Sequence, residues 1–159
     1  MKNLILAVPA IMISGCAVYE PVPKGYTGDT ATISDSYTNL QSTKAHYFVV
    51  EEIDDNYITN SWGKTRSDNY GRGMQFTPSV VTRKVIPKRQ KFTLQGLVFF
   101  PTDAQVLIGD DMEVKSELYF SPEAGKTYTV KGELSKTGSK VWLEDSSGKI
   151  IEAKSGSGN

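Results

Sequence analysis

Apolar side chains occupy every second position through much of this chain, which is the pattern of half-buried β-strands. The stretch from Met112 to Phe120 is the clearest case, because Glu113, Lys115 and Glu117 fall between positions that are apolar or nearly so. Neighbouring side chains on a strand point to opposite faces, so this spacing separates an apolar face from a charged one. The stretch is therefore predicted to be a strand with one buried face.

Similar stretches, each bounded by turn residues, follow one another along the chain. They are residues 45–53, 57–59, 80–86, 92–99, 128–134, 141–143 and 149–151. No segment between residues 30 and 153 sustains an apolar stripe of helical period. Several short strands at this spacing favour an all-β fold, either an antiparallel β-sandwich or a small barrel.

Composition divides the chain into four parts. Residues 1–15 have the composition of an export leader, and residues 16–29 mix prolines and glycines without any period, which indicates an extended, flexible tether. Residues 30–153 are predicted to form a single β-sandwich-like domain. The small polar residues 154–159 are predicted to be a disordered tail.

The leader begins with one basic residue, Lys2, followed by an apolar run from Leu4 to Ile13. At about 1.5 Å per residue, such a run crosses only about half of the roughly 30 Å hydrocarbon core of a bilayer. Pro9, in the middle of the run, further disfavours a membrane-spanning helix. The segment is therefore predicted to be a cleaved signal peptide.

Directly after the apolar run, Ile13, Ser14, Gly15 and Cys16 resemble the bacterial lipobox, in which a branched apolar residue and two small ones precede a cysteine. The resemblance implies that signal peptidase recognises the first three residues and that Cys16 becomes the acylated first residue. It also implies a diacylglyceryl group and an amide-linked acyl chain such as palmitate, which together anchor a protein stably in a bilayer. The residue after the cysteine is Ala17 and not Asp, and in this respect the chain resembles lipoproteins that are sorted to the outer membrane. The alternative is an unlipidated, secreted protein.

Five further segments carry a wider resemblance. They are residues 25–28, 31–36, 69–73, 122–128 and 141–145, which read GYTG, ATISDS, NYGRG, PEAGKTY and VWLED. Together they resemble uncharacterised proteobacterial outer-membrane lipoproteins with a single β-sandwich-like domain. This resemblance implies location and fold only, because it brings no catalytic or ligand-binding residues with it.

Charge and residue usage narrow the chemistry. The chain has 18 basic and 18 acidic residues, so its near-neutral balance offers nucleic acid no long-range attraction. Cys16 is the only cysteine, and the lipobox implies that its thiol is acylated. His46, the only histidine, therefore has no free thiol to activate. His46 lies inside an apolar strand pattern and is predicted to be a core or strand-edge residue. No catalytic residue and no cofactor are predicted.

The sequence gives little support for a metal site or for catalysis by a pair of carboxylates. The adjacent pairs Asp54-Asp55 and Asp110-Asp111 lack the alternating oxygen ligands of a calcium loop, so they are predicted to be turn residues and no metal site is expected. A glycosidase would need two carboxylates placed together. The candidates for such a pair are Glu51, Glu52, Glu117, Glu133 and Glu144.

Residues 60–78 stand apart as a long stretch without strand or helix pattern, which is uncommon in a compact domain and often functional. The stretch carries Trp62, Arg66, Tyr70 and Arg72, and these residue types dominate binding hot spots. One interpretation is therefore a binding loop. The other is a structural loop that Met74 and Phe76 fold back onto the core.

These features predict a membrane-anchored envelope lipoprotein, held in the bilayer through acylated Cys16, that acts as a non-enzymatic interaction or structural module. Its expected partner is an envelope protein or a cell-wall glycan. Two alternatives remain: a carrier of an apolar ligand, as some barrels are, and a cell-wall hydrolase that uses two carboxylates.

Overall fold

The computed structural model of the protein describes residues 18–151, in which ten strands and two short helices follow one another. The leader, the lipobox residues with Cys16, and residues 152–159 lie outside the described part. The strands are β1 Ala31–Ser34, β2 Ser36–Gln41, β3 Lys44–Ile53, β4 Asn56–Tyr57, β5 Thr82–Val85, β6 Gln90–Phe99, β7 Glu113–Phe120, β8 Thr127–Glu133, β9 Lys140–Asp145 and β10 Ile150–Ile151, and the helices are α1 Ser61–Asp68 and α2 Asp103–Ile108.

The strands form two sheets that pack against each other. In sheet A the order is β10-β9-β8-β1-β5, and in sheet B it is β2-β3-β6-β7 with β4 on β3. All described pairings are antiparallel except that of β1 with β8, which is parallel. The prediction of an all-β, sandwich-like fold is confirmed, and the described strands form two sheets instead of one closed barrel.

The core lies between the inner faces of the two sheets, and the ring of Phe48 on β3 sits at its centre. Gly132 on β8 and Gly96 on β6 both lie against this ring, and a Cβ atom at Gly132 would overlap it. The other large apolar side chains that are completely buried here include Ile33, Val50, Ile53, Phe92, Val130 and Leu143. Alternation along β3, β6, β8 and β9 therefore supplies the core, as the period of two predicts.

Although no segment between residues 30 and 153 sustains an apolar stripe of helical period, two short helices lie there. Helix α1 begins inside the predicted loop, where the side chain of Asn60 accepts a hydrogen bond from the backbone N–H of Gly63 at 3.0 Å. Its buried residues are Ser61 and Thr65, so the helix turns a polar stripe towards the protein. Helix α2 has no buried residue at all. Neither helix has the apolar stripe that reveals a helix in sequence.

Asp35 lies between β1 and β2, at the point where the chain passes from sheet A to sheet B, and its side chain is completely buried. Both carboxylate oxygens are paired with the guanidinium of Arg83 on β5, at 2.7 and 2.8 Å. The same carboxylate accepts hydrogen bonds from the backbone N–H of Val50 on β3 and from the N–H and hydroxyl of Ser61. Five donors therefore satisfy one buried charge and join both sheets to the start of α1.

The chain that precedes β1 touches the sandwich before it enters the first strand. Residues 18–30 contain no helix or strand, yet Tyr19 packs against the main core and Pro21 is buried. The described portion of the expected tether over residues 16–29 therefore makes contact with the folded body. No helix within residues 18–151 is long and apolar enough to cross a membrane.

Replacing Asp35 with Asn should lower the free energy of unfolding by about 3–5 kcal/mol, because it leaves the Arg83 guanidinium buried without its counter-charge. Urea unfolding of the purified protein measures this loss. The matched control is Asp103→Asn, since Asp103 forms an exposed ion pair with Arg66 and should matter little. Equal losses in the two variants would contradict a central role for Asp35.

Candidate functional site

One part of the outer face of sheet B is apolar and is covered by α1 and the segment that follows it. Alternate residues of β3 meet Phe99 of β6 there, and Trp62 and Phe76 pack on top. The rings of Trp62 and Phe99 lie 6.2 Å apart, and those of Phe76 and Phe99 lie 4.9 Å apart. We call this group the outer cluster; its members are Ala45, Tyr47, Val49, Trp62, Phe76, Leu97 and Phe99.

Polar side chains fix the covering segment to the sheet and to itself. The hydroxyl of Thr65 lies 2.8 Å from that of Tyr47 and accepts a hydrogen bond from the N–H of Ser79 at 2.9 Å. Asn69 donates to the carbonyl oxygens of Thr65 and Thr77 and accepts from the N–H of Thr77. The segment is therefore hydrogen-bonded and packed at Phe76, whereas Met74, which the structural interpretation of residues 60–78 also placed on the core, is 58% exposed.

The four candidate binding residues do not share one environment. Trp62 is half-buried in the outer cluster, whereas Arg66, Tyr70 and Arg72 are exposed. The guanidinium of Arg66 lies 5.7 Å from the centroid of the Trp62 ring, which is a cation–π distance, and 3.2 Å from the carboxylate of Asp103. The structure thus brings Trp62 and Arg66 together at the junction between α1 and the start of α2.

Two clefts open beside these residues. The first, of about 310 Å³, has Arg66 and Tyr70 on one wall and residues 99–103 on the other. The second, of about 630 Å³, is lined by Arg72 and Phe76. Asn69 lines both clefts, so Tyr70 and Arg72 stand on different sides of it. We call the first one the α1–α2 cleft.

Helix α2 adds a feature that the sequence analysis missed. Leu107 and Ile108 at the end of this helix are 86% and 87% exposed, and Tyr70, which lines the α1–α2 cleft, is 91% exposed. We call these three side chains the apolar rim. Leu107 and Ile108 are neighbours along the chain, and large apolar groups that are exposed side by side mark an interaction surface more often than a lone exposed residue does. In the sequence, three consecutive apolar residues outside any predicted strand, Val106, Leu107 and Ile108, could have indicated this exposed group.

Comparison with known proteins identifies no relative from which the role of this site could be inferred. No protein-family model, curated protein or solved structure matches the chain. Function must therefore be argued from the residues and their geometry. Folds of this architecture host many unrelated activities, so the sandwich itself does not select one.

His46 occupies the position that its strand pattern predicts. It is buried on β3, and the side-chain amide nitrogen of Asn39 lies 3.0 Å from its Nε2 atom. Burial lowers the pKa of His46, and the positive charge of Lys44 lowers it further. The ring therefore stays neutral at physiological pH and is held by a neighbour on β2.

The carboxylates considered for hydrolysis are engaged by neighbouring side chains. Glu51 pairs with Lys115 at 2.8 Å and Glu117 with Lys91 at 2.8 Å, in both cases across strands of sheet B. The remaining three have partners of their own: Glu133 pairs with Lys140, Glu52 accepts from Thr93, and Glu144 accepts from Trp142. Apart from the contact of Glu144 with Trp142, which lies within β9, these contacts join different strands, as pairs that stabilise a sheet surface do.

The aspartate pairs take part in turns and surface contacts. Asp54 and Asp55 have φ angles of 51° and 61° in the turn between β3 and β4, a conformation that Asp tolerates better than most residues. A hydrogen bond and charge from Lys136 lower the pKa of Asp110. Among residues 18–151, no group of three or more His, Cys, Asp or Glu side chains is placed to hold a metal ion.

Tyr47 supports the covering segment from below, and its titration should report on that support. Burial raises the pKa of Tyr47 from 10.0 to about 12. Because the folded-state pKa lies above the unfolded value, the neutral phenol stabilises the fold fully below pH 10, and this contribution is lost as the pH rises towards 12. Tyr47→Phe removes the hydrogen bond to Thr65 and should therefore lower the free energy of unfolding by about 1 kcal/mol at neutral pH. Above pH 10 the stability of this variant should fall less steeply than that of the wild type.

Urea unfolding at a series of pH values measures both effects. The exposed Tyr57 provides the control, because Tyr57→Phe should follow the wild-type pH dependence. If the stability of Tyr47→Phe fell above pH 10 as steeply as that of the wild type, ionisation of Tyr47 would not be the cause of the loss.

Proposed function

We propose that this chain is a lipid-anchored envelope protein, sorted to the outer membrane, whose sandwich presents a binding surface to another envelope protein. The anchor rests on the lipobox residues that end at Cys16. The observation that carries the binding role is the near-complete exposure of the apolar rim: Tyr70 lines the α1–α2 cleft, and Leu107 and Ile108 lie on the helix that begins beside it at Asp103.

The energetics favour association at this rim. Burying an aliphatic or aromatic side chain of this size contributes about 1.5–3 kcal/mol. The wall of the α1–α2 cleft that contains Phe99 is also held in place before binding, because Trp62 and Phe76 pack on that ring. A rigid surface loses little conformational entropy on association, so more of the burial energy appears as affinity.

The chemistry of the rim favours a protein over a cell-wall glycan. A glycan needs several free hydrogen-bonding groups beside an aromatic face, whereas Leu107 and Ile108 offer only aliphatic surface. The nearest cation, Arg66, is already paired with Asp103. An apolar centre with polar groups at its edge is the composition of a protein–protein interface.

The double variant Tyr70→Ala, Leu107→Ser should weaken partner binding at least about tenfold, because it removes two of the three exposed apolar groups of the proposed interface. A photo-reactive amino acid at position 108, activated in living cells, measures the effect as loss of the cross-linked product. The matched control is Tyr57→Ala, since Tyr57 is 68% exposed on β4. Cross-linked products that are unchanged in the double variant would contradict the proposed surface.

The anchor has its own test. Intact-mass measurement of the protein purified from membranes should show loss of residues 1–15 and the added mass of the acyl groups. Cys16→Ser should abolish this modification and release the protein from the membrane fraction. An unmodified thiol at Cys16, or a different first residue, would contradict the proposal.

A second candidate function, carriage of an apolar ligand, is favoured by one observation. A cleft of about 880 Å³ lies beside β10 and the end of β7, and Tyr119, Phe120, Ile150 and Ile151 line it. This volume lies within the range of small-molecule sites. Native mass spectrometry of the purified protein would detect a co-purifying lipid, and an empty protein would count against this candidate.

A further inference from the structure

The chain attaches to the sandwich very close to the proposed lipid anchor. Tyr19 packs against the main core, and Pro21 is buried. Residues 19–22, which we call the strap, form one side of a cleft of about 320 Å³ whose other side consists of Ile58, Thr59 and residues 81–84. The strap therefore lies along the β5 side of the sandwich, and Val18 before it is 56% exposed.

The number of residues between the lipid and the strap limits the distance between body and bilayer. Three residue steps separate Cys16 from Tyr19, and even when fully extended they span about 11 Å. A tether that stayed free up to residue 29 would reach about 45 Å. The docked strap therefore removes most of the reach that the sequence suggests.

We infer that the strap holds the sandwich directly against the bilayer, with the β5 edge of sheet A facing the lipid headgroups and the β10 edge facing away. This inference rests on the proposed acylation of Cys16. The β5 edge with the strap faces the membrane in which the acyl chains lie. A link of about 11 Å leaves no room for a folded partner between the sandwich and the bilayer.

Charge does not supply this orientation. The exposed charged residues on the strap side include Glu20 and Lys84, which have opposite signs. Attraction to anionic headgroups requires a cluster of basic residues. The orientation therefore depends on the shortness of the link and on the docking of Tyr19 and Pro21.

Two exposed lysines at opposite edges of sheet A provide a matched test. Lys84 lies on β5, and Lys149 directly precedes β10. Four strand spacings of about 4.8 Å place these edges about 19 Å apart. Lys84→Cys and Lys149→Cys each introduce a single thiol that can be labelled, because the natural cysteine carries lipid.

The acylated full-length variants, labelled with a fluorophore, are inserted into phosphatidylethanolamine–phosphatidylglycerol vesicles that contain headgroup-spin-labelled lipid. We expect the label at position 84 to be quenched several-fold more strongly than the label at position 149. Inserting ten Gly and Ser residues between Ala17 and Val18 adds a root-mean-square reach of about 17 Å and should largely remove the difference.

Each outcome separates the two proposals. If the intact mass shows an unmodified Cys16, the proposed anchor fails. If Cys16 is acylated but positions 84 and 149 are quenched equally, the anchor stands and the inference is overturned. If the Gly-Ser insertion leaves a strong difference unchanged, the strap does not set the orientation, and the inference is likewise overturned.

Discussion

The buried ion pair between Asp35 and Arg83 is the interaction on which the rest of this structure depends. Removing two charges from water is costly, and the cost is offset only when every donor and acceptor of the pair is satisfied. Here the carboxylate accepts from Arg83, Val50 and Ser61, which belong to β5, β3 and α1. A pair of apolar side chains would fill the space but would leave the first N–H group of α1 without an acceptor. The pair thus fixes where the helix starts, and the start of the helix decides where the outer cluster forms.

Most of the β framework was predictable because its physical cause is local, although β1 and β2 were not among the predicted strands. Alternation of apolar and polar residues predicted strands at 45–53 and 92–99, and the observed β3 and β6 differ from these bounds by at most two residues. The helices were not predictable from such a pattern, since Ser61 and Thr65 turn polar atoms inward. Nor was Asp35, whose partners lie 15 to 48 residues away along the chain and are united only by the sandwich.

The candidate site was predictable in part, for a related reason. Residue type alone selected Trp62 and Tyr70, because aromatic side chains in an irregular stretch stand out in any sequence. It did not distinguish their roles: Trp62 lies in the outer cluster, whereas Tyr70 stands in solvent. Leu107 and Ile108 look like ordinary core residues in sequence, and only the placement of α2 outside both sheets leaves them exposed. Burial is decided by topology, so composition cannot reveal which apolar residues remain outside.

The inferred orientation of the strap and the proposed interface at the apolar rim together constrain how a partner would approach. If the β5 edge of sheet A faces the bilayer, the strands of that sheet run roughly parallel to the membrane plane, because a sheet edge is itself a strand. The α1–α2 cleft includes Phe99, the last residue of β6, and therefore lies at one end of the strands and not at the edge next to the lipid. The cleft then opens sideways, along the membrane surface. A protein that reaches Tyr70, Leu107 and Ile108 from that direction is itself close to the membrane, which favours another membrane-associated envelope protein over one that diffuses freely.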